Sequence, residues 1–266
     1  MTTTSVIETM LQRKSIRKYT DVMPSDEAIE SVVRAGQQAP FAYQLCSLLL
    51  SRKQKKHPFK APLLFTVCVD SHRLEVVMAK RKWRMRMNDL SLLFFGIQDA
   101  ALMAENMVIA AESLGMGSCF LGGTPYQSEA IIQEYKLPKR VFPLVQLAMG
   151  YPAENPPPRP RYPIEFILFE DEYPQFEEDL VFKSMAKMDE GYLAQDYYSR
   201  EKIQIPLESS RKETFNFTNY SWTEHISRKA GQWLADPEEL LEKLEKCGFK
   251  VKPKRAAQKK PTGKSK

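Results

Sequence analysis

Polar residues thin out along one stretch of the chain, from Gln98 to Gly123. Between Ile97 and Leu114 they fall only at Gln98/Asp99, Glu105/Asn106 and Glu112/Ser113. A spacing of about seven residues puts them on one narrow stripe of a helix built from good helix formers, so the pattern predicts a helix buried on most sides. Gly115 is a natural stop for it. Ser118 to Leu121 then reads as a buried strand that Gly122-Gly123 ends. Upstream, a short helix runs from Thr4 to near Arg13. A second helix begins at Pro24-Ser25-Asp26-Glu27, with acidic residues in its first turn, and runs to about Gln38. Pro40 pushes Ala39 out of the helical region, which makes 39–44 a loop. Cys46–Leu50 and Leu63–Val69 read as strands, joined by a basic connector over 51–60. Ser71 to Asn88 reads as charged and irregular. Downstream lie a helix over Ser128–Tyr135, a strand over Pro143–Met149, a break at Gly150-Tyr151-Pro152, an extended proline-rich strap from Asn155 to Pro163, and a final strand over Ile164–Phe169.

The pattern changes character from Glu172. Glu177 to Tyr198 predicts a polar, amphipathic helix and Ile203 to Tyr220 a loop. Ser221-Trp222-Thr223-Glu224 reads as a capped helix start. Asp236 precedes a last helix with Pro237 at its first position. This third is poor in apolar residues, so it is expected to pack on the body or on a partner subunit.

Composition fits a globular chain: 266 residues, 43% hydrophobic and 11% aromatic. The net charge of +6 invites a nucleic-acid reading, but residues 250–266 carry eight basic residues and no acidic one, and taking these eight from +6 leaves the rest at −2. That end is expected to be a disordered, solubilising tail. Lys80-Arg81-Lys82-Trp83-Arg84-Met85-Arg86 reads as a solvated lid or surface helix in preference to a nucleic-acid groove. Asp99, Glu105, Asn106 and Glu112 interrupt the central helix, which argues against a membrane span. The N-terminal MTTTSVIETMLQRKS has no apolar core of the kind a secretion signal needs. Cys46, Cys68, Cys119 and Cys247 are scattered without a CxxC pair and read as reduced core thiols of a cytoplasmic protein. His57, His72 and His225 are too dispersed for a metal-ligand set.

Three places carry candidate chemistry. Arg13-Lys14-Ser15-Ile16-Arg17-Lys18-Tyr19 gathers cations and a hydroxyl of the kind that suits a phosphate. Arg159 and Arg161, at i and i+2 on an extended chain, share one side and suit the same anion. A buried helix running into a strand that ends in a glycine pair offers bare amides to something flat and polar. Taken singly, each also fits a plainer structure: an exposed basic turn, a solvated pair of arginines, a core helix with a tight turn.

Taken in order, these segments resemble the nitroreductase family of FMN-dependent NAD(P)H oxidoreductases, over nearly the whole chain up to about residue 250. R-K-S-I-R-K-Y is similar to the family's R-x-S-x-R phosphate motif. AENMVIAAESLGMGSCFLGG is similar to its dimer helix and flavin-facing turn, and GYPAENPPPRPRYP to its proline strap. The segments YYSRE and SWTEHISRKAGQWL resemble the extension of the branch that holds NADPH-flavin reductases and nitroreductase A. The resemblance implies an α+β fold, a mainly antiparallel sheet flanked by helices, in an intertwined homodimer with FMN at the interface. It implies a flavin-binding core over residues 1–170, a helical extension over 171–249 and the tail over 250–266.

Residue by residue, the resemblance implies that Arg13, Ser15, Arg159 and Arg161 hold the phosphate and nearby ribityl oxygens. Lys14 and Arg17 lie near the pyrimidine edge, where positive charge favours the reduced ring. Leu121, Gly122 and Gly123 run along the isoalloxazine. Pro40, Phe41 and Ala42 occupy a flavin-facing loop in which Phe41 replaces a typical serine. Gln54 matches a flavin-contacting glutamine, on a connector shorter than in the branch. Arg200 matches a contact to the 2′-phosphate of NADPH, with Lys202 and Arg211 as alternatives. The implied activity is hydride transfer from NADPH or NADH through FMN to nitroaromatic, quinone or flavin acceptors, by a ping-pong mechanism without a protein nucleophile, metal, membrane or nucleic acid. The rival is an FMN-binding carrier or regulator with weak turnover.

Overall fold

The computed structural model describes residues 5–208, 211–232 and 236–251. The basic tail beyond Val251 and the expected helix residue Thr4 lie outside them. In chain order the elements are α1 (Val6–Gln12), α2 (Asp26–Gln37), β1 (Cys46–Ser51), β2 (Leu63–Asp70), α3 (His72–Lys80), α4 (Asp89–Ser113), β3 (Gly117–Leu121), α5 (Ser128–Tyr135), β4 (Val141–Gly150), α6 (Glu178–Ala194), α7 (Tyr197–Glu201), α8 (Trp222–Gly231) and α9 (Pro237–Lys246). They group into two compact units. Among the described residues, 17–153 and 236–251 form a sheet unit; 5–16, 154–208 and 211–232 form a helical unit.

The sheet unit is built on one antiparallel sheet of order β1-β2-β4-β3. Every residue of β2 is buried, as expected of an unbroken apolar run inside a layered core. Helices α2 and α4 cover the sheet, with Val32, Phe65, Val67, Ala104, Met107 and Leu147 in one cluster. Two glycines allow the close approach. A Cβ on Gly36 of α2 would sit 2.6 Å from Met107 Cγ, and one on Gly96 of α4 would collide with Val69 of β2. Ser25 caps α2 by accepting from Ala28 N at 3.2 Å. The segment after α9 returns to this sheet: Phe249 is buried with Val69, Leu93, Phe142 and Cys247, and Arg140 stacks on its ring at 4.6 Å while donating to Gly248 O at 2.9 Å. All four cysteines are free and buried. Burial pushes the Cys68 thiol up to about 12 and the Cys247 thiol up to about 11.

Several expectations need correction here. Helix α4 starts at Asp89, well before Ile97, because Asn88 caps it by accepting from Ser91 N at 2.8 Å. Nor is it buried on most sides. Leu90, Phe94, Ile97 and Leu102 are exposed, Phe94 by 62%, whereas Asp99 of the polar stripe is buried. Helix α4 is long and apolar enough to cross a membrane by length and composition, but it packs on α2 and on the sheet as the core helix of this unit. The segment 71–88 is helical over α3, since Leu74, Glu75, Met78, Ala79 and Lys80 are good helix formers that the surrounding charge obscured.

In the helical unit, Ile164–Phe169 is not a strand. It holds a 3-10 turn over Ile164–Phe166 and pairs with no strand among the described residues. Its apolar side chains instead stay open, with Ile164, Ile167 and Leu168 between 65% and 67% exposed. The long helix expected over Glu177–Tyr198 breaks at Asp196, whose φ of 50° is left-handed, into α6 and α7. The hydroxyl of Ser221 does not cap α8. It donates to Asp189 O at 2.9 Å, and the Asp189 carboxylate accepts from Thr223 N at 2.8 Å, so the start of α8 is held by a residue of α6. Scarce aliphatics are replaced by rings: Tyr192, Tyr198 and Tyr220 form the small core with Met188. Beside them Arg228 is buried. It donates to both carboxylate oxygens of Glu213 at 2.7 Å, to Glu224 at 2.6 Å and to Ile205 O at 2.7 Å.

The Arg228 hydrogen bonds hold the Glu213 carboxyl down to about 2, well below its usual 4.5. A carboxyl whose folded-state value is depressed stabilises the fold fully above its unfolded value, and that contribution is lost as pH falls toward the folded one. The helical unit is therefore expected to loosen between about pH 4.5 and about pH 2. Fluorescence of Trp222, followed against pH, should report the step, and Glu213→Gln should remove it.

Candidate functional site

The loop after α2 is held by one carboxylate. Asp99 of α4, 2% exposed, accepts from the amides of Ala42 at 2.7 Å, Tyr43 at 3.2 Å and Leu45 at 2.8 Å. From the other side Arg73 of α3 donates to Gln44 O at 2.8 Å and Cys46 O at 2.6 Å. Between these two anchors Gln44 takes a left-handed φ of 55°. Pro40, Phe41 and Ala42 thus stand on a fixed loop, with Phe41 55% exposed. A cavity of about 500 Å³ opens beside Pro40 and Phe41, bordered also by Gln44, Cys46 and Met103. The sequence placed Asp99 on a narrow polar stripe. The clue that it is buried was the loop itself, whose amides need an acceptor once folded against the core.

The glycine turn follows β3, whose last residue Leu121 pairs with Gln146 of β4. Thr124 fixes the turn: its hydroxyl donates to Leu121 O at 2.6 Å and accepts from Gln146 N at 2.9 Å. The Gln146 side chain in turn donates to Thr66 of β2 at 3.0 Å. Gly122 and Gly123 are both exposed. Neither has a left-handed φ, and a Cβ added to either would meet nothing within 4 Å. Their amides donate to no acceptor among the described residues. Neither backbone conformation nor internal packing therefore requires glycine here.

The basic motif and the strap run side by side. In the sheet unit Thr20 N donates to Tyr151 O and Ala153 N to Lys18 O, both at 2.9 Å, around an antiparallel bridge between Tyr19 and Pro152. In the helical unit Lys14 Nζ donates to Asn155 Oδ1 at 2.6 Å. Arg13 and Ser15 are half-buried, and their side chains make no hydrogen bond among the described residues; Arg17 is exposed. The two strap arginines are held differently. Arg159 lies over the Tyr197 ring at 4.0 Å and donates to Gln195 Oε1 at 2.7 Å. Arg161 is exposed and folds back on the carbonyls of Arg159 at 3.0 Å and Pro160 at 2.9 Å.

Gln54 spends its amide nitrogen on Asp21 Oδ1, before α2, and on Lys60 O of the connector, both at 3.1 Å. Arg200 is exposed beside Glu201 at 3.3 Å, and Lys202 and Arg211 are also exposed. The residues that sequence reasoning missed are the supports: Asp99, Arg73, Thr124 and Gln195 fix the segments on which the expected contacts lie.

The chain belongs to the nitroreductase family. The model described as Nitroreductase family matches residues 48–151, which span most of β1, all of β2, β3 and β4, and α4. The chain is 30% identical over 184 residues to a Cr(VI) reductase of Pseudomonas sp. strain G-1, covering 63% of this chain and 75% of that one. It is 28% identical over 262 residues to an FMN reductase [NAD(P)H] of Bacillus subtilis strain 168, covering 92% and 98%. The solved structure of B. megaterium NfrA1 superposes with a TM-score of 0.77 at 27% identity, over 92% of this chain and 99% of that one.

Asp99→Asn keeps the shape but turns a donor toward three backbone donors. It is expected to destabilise the sheet unit by about 2 kcal/mol, the cost of unpairing buried bonds to a charged group. Denaturant unfolding measures the loss, and amide exchange at Ala42, Tyr43 and Leu45 should accelerate together.

Proposed function

We propose that the chain is an FMN-dependent NAD(P)H oxidoreductase that reduces nitroaromatic, quinone or flavin acceptors. One observation carries this reading. Gly122 and Gly123 present two unused amides on a pinned turn, with open space where any side chain would stand. Paired glycines that nothing inside the protein explains are suited to a flat ligand lying against the backbone. The names of the relatives, an FMN reductase among them, support the same reading.

The residues fit the cofactor. Arg13 and Ser15 have donors to spare for the phosphate, and Arg159 and Arg161 keep guanidinium groups on the strap beside the motif. By the family resemblance, Lys14 and Arg17 would offer positive charge to the polar edge of the ring, Leu121, Gly122 and Gly123 would run along it, and Pro40, Phe41 and Ala42 would supply a flavin-facing loop. When bound, FMN supplies a ring that accepts hydride from NAD(P)H and returns it to an electron-poor acceptor in two alternating half-reactions. The chain's own residues bind, orient and shield; none has to act as nucleophile. Arg200 is our candidate for the 2′-phosphate of NADPH, and Gln54 keeps its carbonyl oxygen for the flavin.

We further propose a homodimer in the cytoplasm, with the flavin core in 1–170, a helical arm in 171–249 and a basic tail in 250–266. The open apolar face of α4 and the exposed Ile164, Ile167 and Leu168 support a second copy as their cover. Phe41 and the short 51–60 connector motivate the second reading, a flavin carrier or regulator with weak turnover, because an exposed ring stands where the family resemblance implies a serine.

A visible spectrum before and after anaerobic NADPH tests the activity: yellow protein that bleaches rapidly supports it, and yellow protein that bleaches only slowly favours the carrier. The turn has its own test. Gly123→Ala should leave the fold intact, since its Cβ meets no protein atom, yet weaken FMN binding by roughly tenfold or more, as forced overpacking does. Equilibrium titration of the apoprotein with FMN reads the difference, and an unchanged affinity would remove the turn from the site.

A further inference from the structure

The Thr124 side chain ties the glycine turn to the sheet, and we propose that it is a positioning residue for flavin binding. This rests on the flavin reading above. Thr124 is 2% exposed, and its hydroxyl is used in both directions, as donor to Leu121 O at 2.6 Å and as acceptor from Gln146 N at 2.9 Å. Gln146 is itself tied to Thr66, and Thr66 pairs with Gln146 in the β2–β4 register while Gln146 pairs with Leu121 across β4–β3. One polar row therefore runs from Thr66 of β2 through Gln146 of β4 and ends at the turn. Buried polar rows are costly unless completed, and this hydroxyl completes it.

The consequence concerns direction. Two successive glycines have more backbone freedom than any other pair. Beyond the strand end, Tyr126 N donates to Gly123 O at 3.1 Å. With Leu121 O and Gln146 N both clamped by Thr124, the Gly122 and Gly123 amides keep one orientation before any ligand arrives, which removes the ordering cost from binding. Without the hydroxyl, the same amides must be ordered by the ligand itself.

The test compares Thr124→Val, which keeps the shape and removes both bonds, with Thr124→Ser, which keeps both bonds. The readouts are the FMN dissociation constant, the midpoint potential of the bound flavin and the thermal midpoint. Positioning predicts a dissociation constant about tenfold higher for Thr124→Val, a shifted potential, and Thr124→Ser within about twofold of wild type. A Thr124→Val protein that melts earlier but binds FMN with unchanged constant and potential overturns the proposal, since the hydroxyl would then only stabilise the sheet. If Thr124→Val does not fold, Thr124→Ala, which adds no methyl beside the carbonyl, is read in the same way. Wild type that binds no FMN overturns the flavin reading and this one with it. Wild type that binds FMN alongside an unaffected Thr124→Val overturns this one alone.

Discussion

The carboxylate of Asp99 is the constraint on which the sheet unit turns. It sits inside the longest apolar helix of the chain, where an unpaired charge would be strongly unfavourable, and it is tolerable only because three backbone amides of the 42–45 segment converge on it. The dependence is mutual. The loop between α2 and β1 has no regular partner for those amides, so its conformation exists because α4 offers an acceptor at that depth. Arg73 completes the arrangement from α3 by holding the carbonyls of Gln44 and Cys46. Helix, loop and first strand are thereby locked before any ligand contributes.

The helical unit reaches order by a different route. Its aliphatic content is low, and it compensates with stacked tyrosines and with Arg228, whose guanidinium is shared among Glu213, Glu224 and a carbonyl. The same unit secures Arg159 by a ring and an amide, so an arginine that spacing alone would leave adaptable becomes part of a rigid strap. Gly191 contributes by letting Pro160 approach to within 2.7 Å of where its Cβ would be.

Much of this was legible in the sequence, for reasons that differ from place to place. Local chemistry announced α2 and α9, because Ser25 and Asp236 cap through their own side chains. Apolar runs announced β2 and β4. Order along the chain linked the R-x-S-x-R motif to the strap, and hydrogen bonds do run between those segments. What stayed hidden depends on partners distant in sequence. Asp99 looked like one residue of a polar stripe because its amide donors lie more than fifty positions away. Ser221 looked like a cap because nothing local shows that Asp189 takes over part of that role. Ile164–Phe169 has the composition of a strand, but a strand also needs an edge to pair with. Composition cannot supply that. Thr124 was passed over because its value lies in two backbone atoms of other residues.

The burial of the cysteines has a practical and a chemical side. A thiol pushed up to about 12 or about 11 is almost wholly protonated at neutral pH and sits where reagents do not reach. For a family whose members handle reducing equivalents, this keeps the chain's own sulfur out of the circuit: no exposed thiol competes for the electrons or records their passage as damage. It also means that a cysteine introduced at a chosen surface position would be the reactive one in the natural background, so a spectroscopic label could be placed on the strap or beside the glycine turn without first stripping the others away.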